Sequence, residues 1–235
     1  MAKMVGMNVV VKNSWTKKAV ELLGENLTEE EYKAALHEHL SFEIDSATNL
    51  RKAREILMRV WGRDTEGVEE LQRKGRVLAV KYPKQLTVVN WCMTGLVFPA
   101  FADIAKLMGK MFEFQDAITT TQIKQKMFDE WGETGTLQTA VAKIVGAMRE
   151  IGGVVSETRG RQVKTNIGVE TDKIICFMTE VAMKLAGQSY YAFSDLTDFS
   201  FLFPFHYRVS KEMVLQNERF VTTNFGGELS VSLKD

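Results

Sequence analysis

Cysteine and proline are both scarce in this chain of 235 residues, which holds two Cys and three Pro. Cys92 and Cys176 lie far apart in apolar surroundings, and neither belongs to a CxxC spacing. This pattern predicts buried free thiols in a reducing compartment and argues against a disulfide framework. With so few prolines, the sequence offers no long linker that would separate its two halves.

Long hydrophobic runs are missing as well. The most apolar stretch, Leu86 to Met111, is interrupted by Asn90, Asp103 and Lys106. A membrane span needs about 20 mostly apolar residues, so this stretch predicts buried helices instead. The N-terminus has neither the apolar core nor the cleavage site of a signal peptide. We therefore expect a soluble cytoplasmic protein that does not bind membranes.

Motifs that carry catalysis are also lacking. Two of the three histidines, His37 and His39, would project about 200° apart on a helix and cannot share a metal ion. The sequence contains no P-loop and no HExxH, GxGxxG or GxSxG motif. We therefore expect no catalytic residues, no metal site and no cofactor, in a protein that binds rather than catalyses.

Charge is balanced overall but uneven along the chain. Thirty Lys and Arg residues face thirty Asp and Glu residues, which gives a formal net charge of zero. Residues 51–84 hold ten basic residues against five acidic ones, and residues 142–165 hold five against two. A neutral protein with two such stretches can bind a polyanion through one face.

Helical periodicity predicts a mainly α fold, a compact helical bundle with a winged helix-turn-helix module and short β-hairpins. The expected organisation is an N-terminal helical domain (1–115), a winged-helix-like module (116–187) and an aromatic-rich C-terminal segment (188–235) that packs on the rest.

The N-terminal domain is expected to open with a short strand at residues 4–11 and a helix capped by Ser14. Thr28 and Glu31 have the spacing of a capping box, in which each side chain bonds the other residue's backbone N–H. This pattern predicts that a second helix begins directly after Thr28.

The middle of the chain has the element order of a winged helix. The predicted elements are a strand at 117–119, a helix with Ile123, Met127 and Trp131 on one side, a turn at 132–135, a helix from about 136 to 151, and a hairpin of strands 154–157 and 162–166. Either Thr120 or Thr121 is expected to cap the first of these helices, and Gly152-Gly153 ends the second. The hairpin tip, Thr158 to Arg161, is basic and contains a glycine.

Polar and basic side chains of this module are the candidate nucleic-acid contacts. Those at the start of the second helix are expected to reach base edges, and those of the hairpin to reach phosphate or the minor groove. The candidates are Thr136, Gln138, Thr139, Lys143, Arg159, Arg161 and Lys164. Two other interpretations stay open, a plain helical hairpin with a solvated turn and a winged helix used for protein contact.

The C-terminal segment is rich in aromatic residues between positions 189 and 205. Core packing or an interface explains this pattern better than a ligand site. Ser210 is expected to cap a short helix, and a hairpin of residues 219–223 and 228–233 around Gly226-Gly227 is expected to close the chain.

Several features occur in one order: a basic helix (Arg51–Leu57), a helical core (Trp91, Phe98-Pro99), a helix ending at Trp131 and a helix from Val141 to Gly152. Over this stretch, a little over two-fifths of the chain, the sequence resembles the small DNA-binding accessory protein of BREX phage-exclusion systems. The resemblance implies a compact helical protein with a winged-helix module that works beside a methyltransferase and a phosphatase-like partner in prokaryotic defence. The Phe-rich segment after residue 187 departs from that family.

The sequence therefore predicts a non-catalytic protein that binds duplex DNA, with other proteins of a defence complex as further partners. An RNA-binding protein or an interaction subunit of a larger complex is the alternative, since a helical bundle with a basic face also suits the RNA backbone. The sequence does not indicate an oligomeric state.

Overall fold

The computed structural model describes residues 6–225 and 228–234, and helices, with the short 3-10 and π-helical turns included, hold 63% of these residues. The prediction of a mainly helical chain with small sheets is confirmed. The helices are α1 (Asn13–Leu22), α2 (Glu29–Ser41), α3 (Ala47–Leu57), α4 (Glu69–Lys81), α5 (Leu86–Val97), α6 (Pro99–Phe112), α7 (Thr120–Trp131), α8 (Gly135–Ile151), α9 (Asp172–Ala186) and α10 (Lys211–Gln216). The strands are β1 (Ala117–Thr119), β2 (Val154–Thr158), β3 (Arg161–Lys164), β4 (Ile167–Gly168), β5 (Tyr191–Ala192), β6 (Phe205–His206), β7 (Phe220–Phe225) and β8 (Glu228–Leu233).

The chain start differs from the expectation. Residues 6–11 form an irregular segment, so the strand predicted there is wrong, while residues 4 and 5 lie outside the described part. Met7 and Val11 are buried in the core although their backbone has no neighbouring strand to pair with. Helix α1 begins at Asn13, so Lys12 occupies the N-cap position without a side-chain hydrogen bond, and the predicted cap at Ser14 is wrong because Ser14 lies inside the first turn.

Helix caps follow local sequence more closely. The Thr28–Glu31 capping box is confirmed at the start of α2. A second box opens α7, where the Thr119 hydroxyl accepts from the Gln122 N–H and the Gln122 side chain accepts from the Thr119 N–H. The cap therefore lies one residue before the earlier of the two predicted threonines, because the chain leaves strand β1 at Thr119.

Helix α5 is the centre of the core. Every residue from Val88 to Val97 is buried, as is typical of a helix that is apolar on all sides. It packs against α4, α6, α8 and α9. Cys92 on this helix and Cys176 on α9 are buried free thiols, as predicted, and burial raises the pKa of both. Most buried apolar residues between Met7 and Tyr207 belong to one hydrophobic cluster, and Cys176 belongs to a second, smaller one.

The aromatic-rich segment contributes to this core around Trp91. The Trp91 ring centroid lies 5.5 Å from that of Phe203 and 5.9 Å from that of Phe205. The Trp91 indole N–H donates to the Phe201 carbonyl at 2.9 Å. Because Phe201 and Phe205 are themselves buried, these side chains pack inside the molecule.

Three small sheets complete the fold. Strands β1, β3 and β2 form an antiparallel sheet in that order, with β3 in the centre. Strands β4 and β6 make a short parallel pair that joins the segment after β3 to the aromatic-rich segment. The last sheet has the order β5-β8-β7. Its β7–β8 pairing matches the predicted closing hairpin, whose Gly226-Gly227 turn lies outside the described residues.

Within the described residues, no single helix is long and apolar enough to cross a membrane. One pair, Pro83–Val97 and Pro99–Phe112, would pass by length and composition if taken together, but it is bent by 119°.

Candidate nucleic-acid interface

Helix α8 exposes a polar row along its first half. The Thr134 hydroxyl caps the helix by accepting from the Leu137 N–H at 3.2 Å. Leu137, Ala140, Val141 and Ile144 then turn towards the core. The opposite side is left to four of the predicted site residues, all of them exposed: Thr136, Gln138, Thr139 and Lys143. The four residues therefore lie on the solvent side of α8 near its N-terminus, where the backbone dipole favours negative charge, with Thr136 and Gln138 at opposite edges of that side.

The second half of α8 is covered by the start of the chain. A Cβ atom added to Gly146 would lie 2.8 Å from a Val10 methyl, so only glycine leaves room for the irregular segment here. The Asn13 N–H reaches the Glu150 carboxylate at 3.4 Å. The exposed polar row of α8 consequently ends near Lys143.

The β2–β3 hairpin is short and tied to α7. Gly160 at its tip has a φ of +81°, a backbone conformation that favours glycine. The Gly160 carbonyl accepts from the Thr120 N–H at 2.9 Å. The tip is therefore held against the first turn of α7, and Arg159 beside it is placed by a fixed backbone.

The three basic residues predicted on the hairpin do not form one group. Arg161 pairs with Glu157 across the tip at 2.7 Å, whereas Arg159 has no ion-pair partner within residues 6–225 and 228–234. Lys164 lies three residues beyond Arg161 on β3, which places it on the other face of the sheet. There it borders a small cavity that is also lined by Asp198.

Arg149 is a basic residue of this module that the sequence did not single out. It is exposed near the end of α8, and its guanidinium donates to the Ser156 hydroxyl on β2 at 3.0 Å. The charge count over residues 142–165 included Arg149, but only the fold shows that it bridges the helix and the hairpin. It stands beside the predicted contacts as a further cation.

The other basic stretch, residues 51–84, is partly neutralised by ion pairs. Arg63 lies 3.4 Å from both Glu29 and Glu55. Lys74 pairs with Glu180, a carboxylate that is only 1% exposed. These ion pairs use much of the positive charge that the sequence count assigned to a nucleic-acid surface.

Asp64 is the strongest example of this pairing. Its two carboxylate oxygens accept from Arg73 and Arg76, each at 2.9 Å. The hydrogen bond from Arg73 is the main reason why the pKa of Asp64 lies below its ordinary value, and Arg76 acts in the same direction. The carboxylate therefore stabilises the folded chain when it is ionised.

Replacing Asp64 tests this stabilisation. We expect Asp64→Asn to lower the free energy of unfolding by about 1 kcal/mol at neutral pH, the scale of a well-formed surface ion pair. Because the folded pKa is lowered, the difference from the unmodified protein should shrink as the pH falls below about 4, the unfolded value. Urea unfolding at pH 7 and pH 3 measures it. Glu66→Gln in the same loop is the control, and an equal loss there would assign the effect to general charge.

Comparison with known protein families, with characterised proteins and with solved structures found no match to this chain. Across the described residues, no group of three His, Cys, Asp or Glu side chains is arranged to hold a metal ion. The interface must therefore be interpreted from its own geometry.

Proposed function

We propose that this chain is a non-catalytic protein that binds duplex DNA through the first half of α8 and the β2–β3 hairpin. One observation carries the proposal: α8 presents Gln138, Thr139 and Lys143 outward while its opposite face is anchored in the core. A firmly held helix with short polar side chains at its N-terminal end is what the major groove admits.

The order of the elements supports a winged helix-turn-helix. Helix α6 precedes β1, α7, α8, β2 and β3 in the chain, and the sheet order is β1-β3-β2. In winged-helix proteins the first strand pairs with the strand after the wing, and the last helix before the wing enters the groove. In that arrangement α8 is the recognition helix and the β2–β3 hairpin is the wing.

The chemistry of the exposed side chains suits both parts of a DNA interface. A Gln amide such as that of Gln138 can make two hydrogen bonds to an adenine edge, and Lys143 can contact phosphate as a point charge. Arg159, which has no ion-pair partner among the described residues, suits phosphate or a narrow minor groove. Duplex DNA is favoured over double-stranded RNA because the deep, narrow major groove of A-form RNA does not admit a helix.

A protein partner is the second candidate, and two exposed apolar side chains favour it. Phe114, just before β1, is 85% exposed, and Val155 on β2 is 52% exposed. Such residues next to the module suit a subunit that docks on a larger assembly. The sequence resemblance to the BREX accessory protein agrees with either role and stays a prediction.

Titration of labelled probes at several salt concentrations tests the proposed function. We expect the protein to bind a duplex DNA more tightly than single-stranded DNA or RNA of the same sequence, with an affinity that falls steeply with salt. Tighter binding of RNA would favour the RNA-binding alternative. The absence of salt-dependent binding to all three probes would contradict the proposal and leave the protein partner as the function of this module.

Two variants of α8 separate base contacts from phosphate contacts in the same titration. Gln138→Ala should lose about 1 kcal/mol on a selected site and little on a scrambled duplex. Lys143→Ala should weaken both duplexes equally, because phosphate carries no sequence information. The control is Lys211→Ala, which removes an exposed lysine on α10. Equal losses for Gln138→Ala on both duplexes would mean that α8 positions the protein without reading bases.

A further inference from the structure

A concave site that shares no residue with the α8 and hairpin surface lies against α3. It is a cleft of about 520 Å³ between α3, the loop that follows it and the irregular segment at the start of the chain. Four basic and two acidic side chains line this cleft. The basic ones are Arg51, Lys52, Arg59 and Arg63, and the acidic ones are Glu55 and Asp64. A volume of this order lies within the range of small-molecule sites, about 300–1,000 Å³.

The two carboxylates of the cleft are already engaged by arginines. Glu55 bonds Arg54 at 3.0 Å, and Asp64 is held by the arginine pair on α4. Arg51 and Lys52, in contrast, have no ion-pair partner anywhere in residues 6–225 and 228–234. The unpaired charge in the cleft is therefore positive, and it comes from neighbouring residues in the middle of α3.

The backbone also shapes this cleft. Helix α3 is followed directly after Leu57 by a π-helical turn, Met58–Gly62. Such turns are rare in proteins, and those that occur are often found at functional sites. The turn brings the Arg59 guanidinium to 5.6 Å from the ring centroid of the buried Phe98, so this cation is held in a fixed position on the cleft wall.

We propose that this cleft binds a phosphate-bearing ligand of the size of a nucleotide. Guanidinium and ammonium groups that converge on a concave site match the charge and the several acceptor oxygens of a phosphate chain. The site is distinct from the surface of α8 and the hairpin. A cleft of this volume fits a small anion better than it fits the outer surface of a duplex.

Calorimetric titration of the whole chain with tripolyphosphate tests the proposal. We expect binding of one tripolyphosphate per chain, and ATP should compete with it. The variant Arg51→Gln/Lys52→Gln should bind tripolyphosphate at least about fivefold more weakly, because two unpaired cations are lost. Its thermal midpoint should be unchanged in the absence of the anion, since neither side chain makes an ion pair with a described residue.

Two matched double variants make the test specific. Lys184→Gln/Lys211→Gln removes two exposed charges outside the cleft, and Arg159→Ala/Arg161→Ala removes two at the hairpin. Both should retain tripolyphosphate binding. Failure of the unmodified protein to bind tripolyphosphate, failure of ATP to compete, or equal losses in all three variants would overturn the assignment. Duplex binding is measured separately, so neither the ligand site nor the proposed function is judged by the other's result.

Discussion

The double substitution Arg159→Ala/Arg161→Ala is expected to weaken duplex DNA binding about tenfold or more. Both residues lie on a hairpin whose backbone is held by the hydrogen bond between Thr120 and Gly160. The hairpin backbone therefore needs no ordering before the two side chains contact a ligand. Each phosphate contact contributes about one unit to the salt dependence. The slope of the logarithm of affinity against that of salt should therefore fall by about 1–2 units.

The ion pair between Arg161 and Glu157 provides an opposite test. Glu157→Gln keeps the size of the side chain and frees Arg161, so it should tighten duplex binding by roughly threefold at low salt. The control for both substitutions is Lys211→Ala, which should leave affinity and salt slope unchanged. Unaltered binding in the arginine double variant would remove the hairpin from the interface.

Gly109→Ala is expected to cause the largest loss of stability. A Cβ atom at this position of α6 would lie 2.0 Å from the Ser200 backbone carbonyl oxygen. Backbone cannot move aside as the end of a flexible side chain can, so the aromatic-rich segment would have to separate from α6. We expect a loss of about 3 kcal/mol in the free energy of unfolding, and a decrease in Tm on the order of 10 °C.

The matched control for this substitution is Gly24→Ala. An added Cβ at Gly24 meets no atom within 4 Å, so its effect on Tm should be small and of either sign. Thermal unfolding followed by circular dichroism compares the two variants. A Tm for Gly109→Ala equal to that of the control would contradict the close approach of α6 and Ser200.

Where structure is dictated by neighbouring residues, the sequence predicted it well. The strand at Ala117–Thr119, the helix ending at Ile151 and the hairpin around Gly160 all match the structure closely. Their signals are local: helical periodicity and glycines at a helix end and a turn, whereas the threonine predicted to cap α7 was one residue too late. The exposure of the polar row on α8 follows from the same periodicity.

Features that depend on distant parts of the chain could not be predicted. The Trp91 indole N–H donates to the Phe201 carbonyl, although the two residues are 110 positions apart in the sequence. No pattern in either segment predicts this contact. The same holds for Lys74 and Glu180. A charge count along the chain therefore overstated the positive surface of residues 51–84, because Glu29 and Glu180 pair with Arg63 and Lys74 from outside this stretch.

Because α8 is anchored in the core, the helix should lose little conformational entropy when a partner binds its exposed end. Nine residues between Leu137 and Ile151 are buried, so the helix cannot swing or unwind when a partner approaches. It has little conformational freedom left to lose, and the ordering cost of a complex falls on the partner instead. If α8 binds a duplex as proposed, any change of shape that improves the contact must therefore come from the DNA. A DNA sequence that deforms easily at the contact would then bind more tightly than a stiff one with the same hydrogen-bonding groups.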